Sequence, residues 1–175
     1  MVSDHRWQIV AIEKQYQKEG FDCGDTKLND YIKRYARQNH EKGIAKTFIA
    51  VARESKKIVG YYTLSSSIIE YELLPDLYRA KLPSYPIPAV LIGKLAVDNS
   101  SQRQGLGTYL LVDAVIRSLK ISQELGVYAV RVDAIDDKAK AFYLEHEFIP
   151  FLDIEHSLFL PIATISKMFK VGDEQ

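Results

Sequence analysis

Ala89-Val90-Leu91-Ile92-Gly93-Lys94-Leu95-Ala96-Val97 is a near-continuous apolar run, and Asp98-Asn99-Ser100-Ser101-Gln102-Arg103-Gln104-Gly105-Leu106-Gly107 follows it directly. The first stretch predicts a buried central strand, because a strand with one wet face would alternate. The second is polar and punctuated by glycine, which predicts a turn. Leu106, Leu110, Leu111, Ala114, Val115, Leu119 and Leu125 then mark one face of a long amphipathic helix ending near Gly126. Glycines directly ahead of a helix let a ligand approach the backbone closely. The first amides of that helix have no internal acceptor and point outward with a positive dipole. Diphosphate is the natural guest, although a turn of this kind also occurs with no ligand at all. The stretch lacks the third glycine of a dinucleotide fingerprint and the Gly-Lys-Ser/Thr ending of a Walker loop.

Upstream, Trp7-Gln8-Ile9-Val10-Ala11-Ile12 alternates loosely and predicts a short first strand. Phe21-Asp22-Cys23-Gly24-Asp25 predicts a turn into a helix, with Asp25 as N-cap and Leu28, Tyr31, Ile32 and Tyr35 at helical spacing. Thr47-Phe48-Ile49-Ala50-Val51-Ala52 and residues 58–65 flank Glu54-Ser55-Lys56-Lys57, the pattern of an antiparallel hairpin. Four of the six prolines lie between Pro75 and Pro88, which predicts an irregular connection. Downstream, residues 128–134 read as a strand and Asp136 as the cap of a short helix through Ala139, Phe142 and Tyr143. Residues 148–152 and 158–165 supply two last strands. The sum is one α/β domain over residues 1–175 with a mixed sheet.

With 175 residues, 47% hydrophobic and 26% charged, the chain has the balance of a globular domain and not of a disordered one. A single cysteine, Cys23, excludes an internal disulfide framework and a multi-cysteine metal site, and it reads as a small packed residue. His5, His40, His146 and His156 show no metal-ligand spacing among themselves, so no metal is expected. The N-terminus is polar and no apolar run approaches the ~20 residues that span a bilayer. A cytoplasmic protein without a membrane partner is expected. Lys+Arg and Asp+Glu balance at 23 each, yet residues 27–57 hold nine basic against three acidic side chains. Residues 133–156 hold seven carboxylates and two lysines. Such segregation makes either a phosphate-attracting face or solvated helix surface, and charge alone leaves both open.

Gln102-x-x-Gly105-x-Gly107 matches the acyl-CoA pyrophosphate signature of the GNAT N-acetyltransferase superfamily, in the position between buried strand and long helix where that family carries it. Asp133-Ala134 and Ala139-x-x-Phe142-Tyr143 resemble the family's second cofactor-contacting segment. Phe21-Asp22-Cys23-Gly24 with Leu28-Asn29, Val59-Gly60-Tyr61-Tyr62-Thr63-Leu64, the Leu91 to Asp98 run, the proline-rich connection and Val132-Asp133-Ala134 further resemble the TacT-like GNAT toxins of bacterial toxin–antitoxin modules. Two positions depart from that group. Lys94 stands where arginine is common, and Glu147 stands before Phe148 where glycine is usual. The chain is also neutral where many relatives are basic.

The resemblance implies a GNAT fold, a central and mostly antiparallel sheet flanked by helices, and acetyl-CoA as cosubstrate. It implies that the backbone of Leu95, Ala96 and Val97 receives the thioester carbonyl and the pantetheine arm. Gln102, Arg103, Gln104, Gly105, Leu106, Gly107 and Thr108 then form the pyrophosphate turn, with Ala139 and Phe142 as further cofactor contacts. Tyr143 becomes the general acid: a phenol of pKa about 10 is protonated at neutral pH and can donate to the departing thiolate. No general base stands out. A base-poor site suits an α-amine, whose pKa of about 7.7–8.0 leaves it partly neutral, better than a lysine at about 10.4. Carried further, the resemblance implies aminoacyl-tRNA as acceptor, a homodimer, and a ribbon-helix-helix antitoxin as partner. Arg79, Lys81, Lys94, Lys33, Arg34 and Arg37 are the candidates for tRNA phosphates. Acetylation of a small amine or a protein N-terminus, and a non-catalytic acyl-CoA-binding module, are the alternatives.

Overall fold

A computed structural model describes residues 6–170; His5 and the rest of the first five residues lie outside them. Hydrogen bonding orders seven strands as β1-β2-β3-β4-β5-β7-β6. They are β1 (Trp7–Ala11), β2 (Lys46–Ala52), β3 (Ile58–Ile69), β4 (Ile87–Val97), β5 (Ala129–Asp133), β6 (Ile149–Pro150) and β7 (Ser157–Pro161). The registers of β1 on β2, β2 on β3, β5 on β7 and β6 on β7 are antiparallel, while β4 and β5 run parallel. The expected mixed, mostly antiparallel sheet is what forms. Among the described residues no helix is long and apolar enough to cross a membrane. The chain divides into two compact units, residues up to 65 with 93–114, and residues 66–92 with 115 onward.

In the first unit β2 and β3 form the expected hairpin, with Glu54 in the left-handed region at φ 63. The register slips between Ala50 and Val51, a bulge next to Gly60. That glycine is required by space. A Cβ there would lie 3.0 Å from Leu110 Cδ1 and 3.2 Å from the Ala96 carbonyl oxygen. Asp25 caps α1 (Thr26–Asp30) as expected, accepting the Leu28 N–H at 2.9 Å. The next turn is a π-helix, Tyr31–Tyr35, before α2 (Ala36–Glu41). A π turn takes one residue more than an α turn. The apolar face therefore advances by one position: Ala36 is fully buried and Tyr35, expected inside, is 53% exposed. Ile12, Phe21, Leu28, Tyr31, Ile32, Ala36, Ile49, Tyr61 and Ala96 pack together as this unit's core. His40 serves local structure, its Nδ1 accepting the Thr47 N–H at 2.9 Å.

The second unit revises three expectations. The proline-rich connection is not wholly irregular, because Asp76–Arg79 forms the short helix α3 behind Pro75, whose fixed φ suits a helix start. The predicted strand over 148–152 shrinks to two residues, β6. The predicted strand over 158–165 stops at Pro161, and Ile162–Lys170 is a helix, α6. Pro161 has no N–H to extend a ladder, and Ile162 donates its own to the Tyr128 carbonyl at 2.8 Å. Ile165, one turn on, is then buried. Helix α5 (Asp137–Glu145) follows its expected cap, Asp136, which accepts the Ala139 N–H at 2.8 Å. Ile69, Leu74, Ile87, Ala89, Ala129, Phe151 and Phe159 form the core here.

Helix α4 (Leu106–Ser122) begins as expected but ends four residues before Gly126. Gln123 and Glu124 make i→i−3 bonds that tighten the last turn and rotate Leu125 outward, 61% exposed.

Candidate active site

Strand β4 pairs with β5 from Ala89↔Ala129 to Ile92↔Val132, and β4 then runs on to Val97. Leu95, Ala96 and Val97 thus lie past the end of that ladder, where backbone amides on the β5 side are not spent on it. The turn that follows opens with a short 3-10 segment, Asn99–Ser101, capped by Asp98. Arg103 (φ 61) and Gly105 (φ 86) both take left-handed backbone, and a Cβ on Gly105 would meet nothing within 4 Å. Glycine is favoured here by conformation and not by crowding. The chain then enters α4, with the Tyr109 N–H closing the first helical bond to the Gly105 carbonyl at 3.0 Å. Leu106 is buried and anchors the helix start, while Gln102, Arg103, Gln104, Gly105 and Thr108 are exposed and Gly107 half-buried. A helix N-terminus of 17 residues behind an unobstructed left-handed turn fits an anionic diphosphate.

The two glutamine side chains of this turn bond back to the protein. Gln102 Nε2 donates to the carbonyls of Val97 (3.0 Å) and Cys23 (3.3 Å) and to Asn99 Oδ1 (3.1 Å). Gln104 Nε2 donates to the Ser100 carbonyl at 3.2 Å, and the Gln104 carbonyl accepts from Arg6 at 3.2 Å. Asp98 is buried, and its carboxylate accepts the Asp22 N–H (2.9 Å), the Ser100 N–H (3.0 Å) and the Ser100 hydroxyl (2.6 Å). The Asn99 N–H returns to the Asp22 carbonyl at 2.8 Å. Asp98, Asp22 and Asn29 all stand in the quoted motifs, yet the sequence pattern assigns them no role. The available signal was an Asp two residues before a Ser, the pattern of a side chain that caps its own turn. Cys23 is half-buried beside this loop, and burial pushes its thiol up from the ordinary range, as suits a packed residue.

Lys94 is half-buried on β4, and its ammonium sits 4.2 Å over the Tyr31 ring, inside the π turn. Tyr31 stacks on Tyr61, whose hydroxyl donates to the Leu28 carbonyl at 2.7 Å. Burial lowers the proton affinity of Lys94. Lys33 and Arg34 belong to the same π turn, and Arg37 pairs with Glu41 at 3.6 Å one turn later. The structure thus brings Lys33, Arg34 and Lys94 into one unit with the pyrophosphate turn. Arg79, bound to Asp76, and Lys81 belong to the second unit.

Tyr143 is on α5 and buried. The helix ends in a Schellman arrangement: the Phe148 N–H reaches the Tyr143 carbonyl and the Glu147 N–H the Leu144 carbonyl, each at 3.1 Å. The Phe148 and Tyr143 rings meet at 5.4 Å, the apolar contact that accompanies such a cap. Glu147 holds the left-handed position at φ 68. Burial pushes the Tyr143 phenol well above its ordinary ionisation range, so the hydroxyl stays protonated. Phe142 flanks it at 5.3 Å, and its carbonyl lies 2.8 Å from His146 Nδ1. The Ala139 amide is occupied by the Asp136 cap. His156 Nε2 lies 2.8 Å from Asp137 Oδ1, with Glu155 adjoining.

The Acetyltransferase (GNAT) domain family matches residues 42–150. The chain belongs to the GNAT acetyltransferase family. A Mycobacterium tuberculosis protein named tRNA-acetylating toxin is 34% identical over 128 residues, 73% of this chain and 75% of that one. A tyrosine-to-phenylalanine mutant of KacT superposes with TM-score 0.90 at 33% identity, over 94% of this chain and 99% of that one. AtaT complexed with acetyl-methionyl-tRNA gives TM-score 0.88 at 31% identity, over 93% and 99%. A mutant AtaT bound to the C-terminus of its antitoxin AtaR and acetyl-CoA gives 0.81 at 28%, over 94% and 98%. This GNAT protein is therefore an N-acetyltransferase whose cosubstrate is acetyl-CoA.

Proposed function

We propose that this GNAT enzyme is a toxin that acetylates the α-amino group of aminoacyl-tRNA and so blocks translation. The observation that carries the reading is its likeness, across 93% of the chain, to AtaT complexed with an acetylated aminoacyl-tRNA. All of residues 1–175 form one catalytic domain in this reading. Acetyl-CoA supplies the thioester. The amides of Leu95, Ala96 and Val97 polarise its carbonyl, and those of residues 102–108 hold its diphosphate, with Ala139 and Phe142 beside the cofactor. The acceptor amine attacks the acetyl carbon directly, the C–S bond breaks, and Tyr143 gives its hydroxyl proton to the departing thiolate. The amine enters neutral, as an α-amine partly is at pH 7; the proton it sheds after attack passes to water, and water returns one to the Tyr143 phenolate. Lys33, Arg34, Arg37, Arg79, Lys81 and Lys94 contact tRNA phosphates. The protein acts in the cytoplasm as a homodimer and is neutralised by an antitoxin with a ribbon-helix-helix domain.

The test uses labelled acetyl-CoA with total tRNA, charged and deacylated. Label is expected in charged tRNA only, with growth arrest on expression. Charged tRNA left unlabelled while acetyl-CoA binds would overturn the toxin reading and redirect the search to small amines and protein N-termini.

A further inference from the structure

We infer that the diphosphate-binding turn is not self-supporting, and that Asp98, Asp22 and Gln102 are positioning residues that hold it against the loop preceding α1. The inference rests on acetyl-CoA binding at residues 102–108.

A turn with two left-handed residues, Arg103 and Gly105, has no ladder of its own to fix it. Bonds within the loop, from Gln102 to Val97 and Asn99 and from Gln104 to Ser100, fix its shape, and contacts outside it set where it sits. Three hydrogen bonds tie it to a segment some 76 residues earlier: Asp22 N–H to Asp98 Oδ1, Asn99 N–H to the Asp22 carbonyl, and Gln102 Nε2 to the Cys23 carbonyl. The far side of the joint is itself braced. Asp22 Oδ1 accepts from the Gly24 N–H and from Asn29 Nδ2, both at 2.9 Å, and Asn29 Oδ1 accepts the Cys23 N–H at 2.9 Å. Asp98 also fixes the exit of β4, since its own N–H donates to the Val59 carbonyl at 2.8 Å. The carboxylate of Asp98 uses both oxygens as acceptors for three donors, a pattern that an amide side chain cannot reproduce without turning an N–H₂ toward an N–H.

Gln102 illustrates the point most directly. It is the first residue of the pyrophosphate signature, yet its amide donates to three oxygens of the protein. The Gln102 side chain therefore braces the turn. Removing it should weaken acetyl-CoA binding with no contact to the ligand lost.

A structural brace and a brace of the diphosphate site differ in what they do to a substrate without a diphosphate. Asp98→Asn and, as a variant at an exposed side chain, Gln102→Ala are compared with the parent enzyme using acetyl-CoA and acetyl-pantetheine. Binding of acetyl-CoA is measured by calorimetry with no acceptor present. Both variants should raise the Kd and KM for acetyl-CoA about tenfold, leave kcat within about twofold, and lower kcat/KM for acetyl-pantetheine by no more than about threefold. Asp22→Asn keeps the Oδ1 acceptor and should bind like the parent, whereas Asp22→Ala should bind like Asp98→Asn. Unchanged acetyl-CoA affinity in Gln102→Ala, or equal losses with both substrates, would overturn the inference. A parent protein that binds no acetyl-CoA would instead remove the reading on which it rests, and the two failures are separable in the same titration.

Discussion

Tyr143 is held from three sides: its carbonyl accepts the Phe148 N–H, its ring meets Phe148, and Phe142 packs at its edge. In the proposed mechanism this fixed phenol is the proton donor to the departing sulfur. Tyr143→Phe keeps every one of those contacts and deletes only the hydroxyl. Its kcat should fall at least ~10-fold, about 1.4 kcal/mol of transition-state stabilisation, with acetyl-CoA affinity unchanged by calorimetry. Full transfer by the mutant would remove Tyr143 from the chemistry. The cap of the same helix carries a second residue-scale consequence. Glu147 sits at φ 68, where a side chain costs energy that glycine avoids. Glu147→Gly should raise stability in urea unfolding by about 0.5–1 kcal/mol, the strain relieved less the extra freedom glycine has when unfolded.

Among the elements, β3 is tightly packed at Gly60. The added methyl of Gly60→Ala would meet the Ala96 carbonyl, which is backbone, as well as Leu110 and Leu106. Overpacking of this kind should cost about 1–3 kcal/mol, read as a lower urea midpoint at unchanged slope. The strand–turn–helix that carries these contacts was legible from residues 89–125, because burial, polarity and glycine changed together along the chain. Asp25 and Asp136 were legible for a similar reason, since a cap acts within three residues of itself. The π turn was not, because Tyr35 and Ala36 differ only in which one the extra residue carries inward. Helix α6 was hidden by Ile162-Ala163-Thr164-Ile165, whose β-branched side chains favour a strand until Pro161 ends the ladder. The joint made by Asp98 was beyond any local pattern, for its partner is 76 residues away.

At the scale of the whole molecule, charge is neutral overall and concentrated locally, so acid sensitivity should come from particular carboxylates. Burial pulls Asp98 upward, but the Asp22 N–H and the Ser100 hydroxyl and N–H outweigh it and hold the group below the ordinary aspartate range. The Gly24 N–H, then the Asn29 amide, hold Asp22 below it as well. A depressed folded-state pKa contributes stability that is fully present above the unfolded value of about 3.9 and is lost as pH falls through the folded one. The stability gap between the parent and Asp98→Asn should therefore be full at neutral pH and narrow below about pH 4, checked by urea unfolding at both. A gap independent of pH would mean that the carboxylate's charge is not what the joint uses.

The joint between the turn and the loop ahead of α1 also works in reverse. Whatever strengthens one side must strengthen the other by the same factor, since the coupling between two events is a single quantity. On the proposed reading, acetyl-CoA seated on the turn tightens the segment that leads into α1 and the π turn, where Lys94 lies over Tyr31. On the same reading, donor and acceptor bind cooperatively: either one, bound first, rigidifies ground that the other uses, and the gain is the same in both orders.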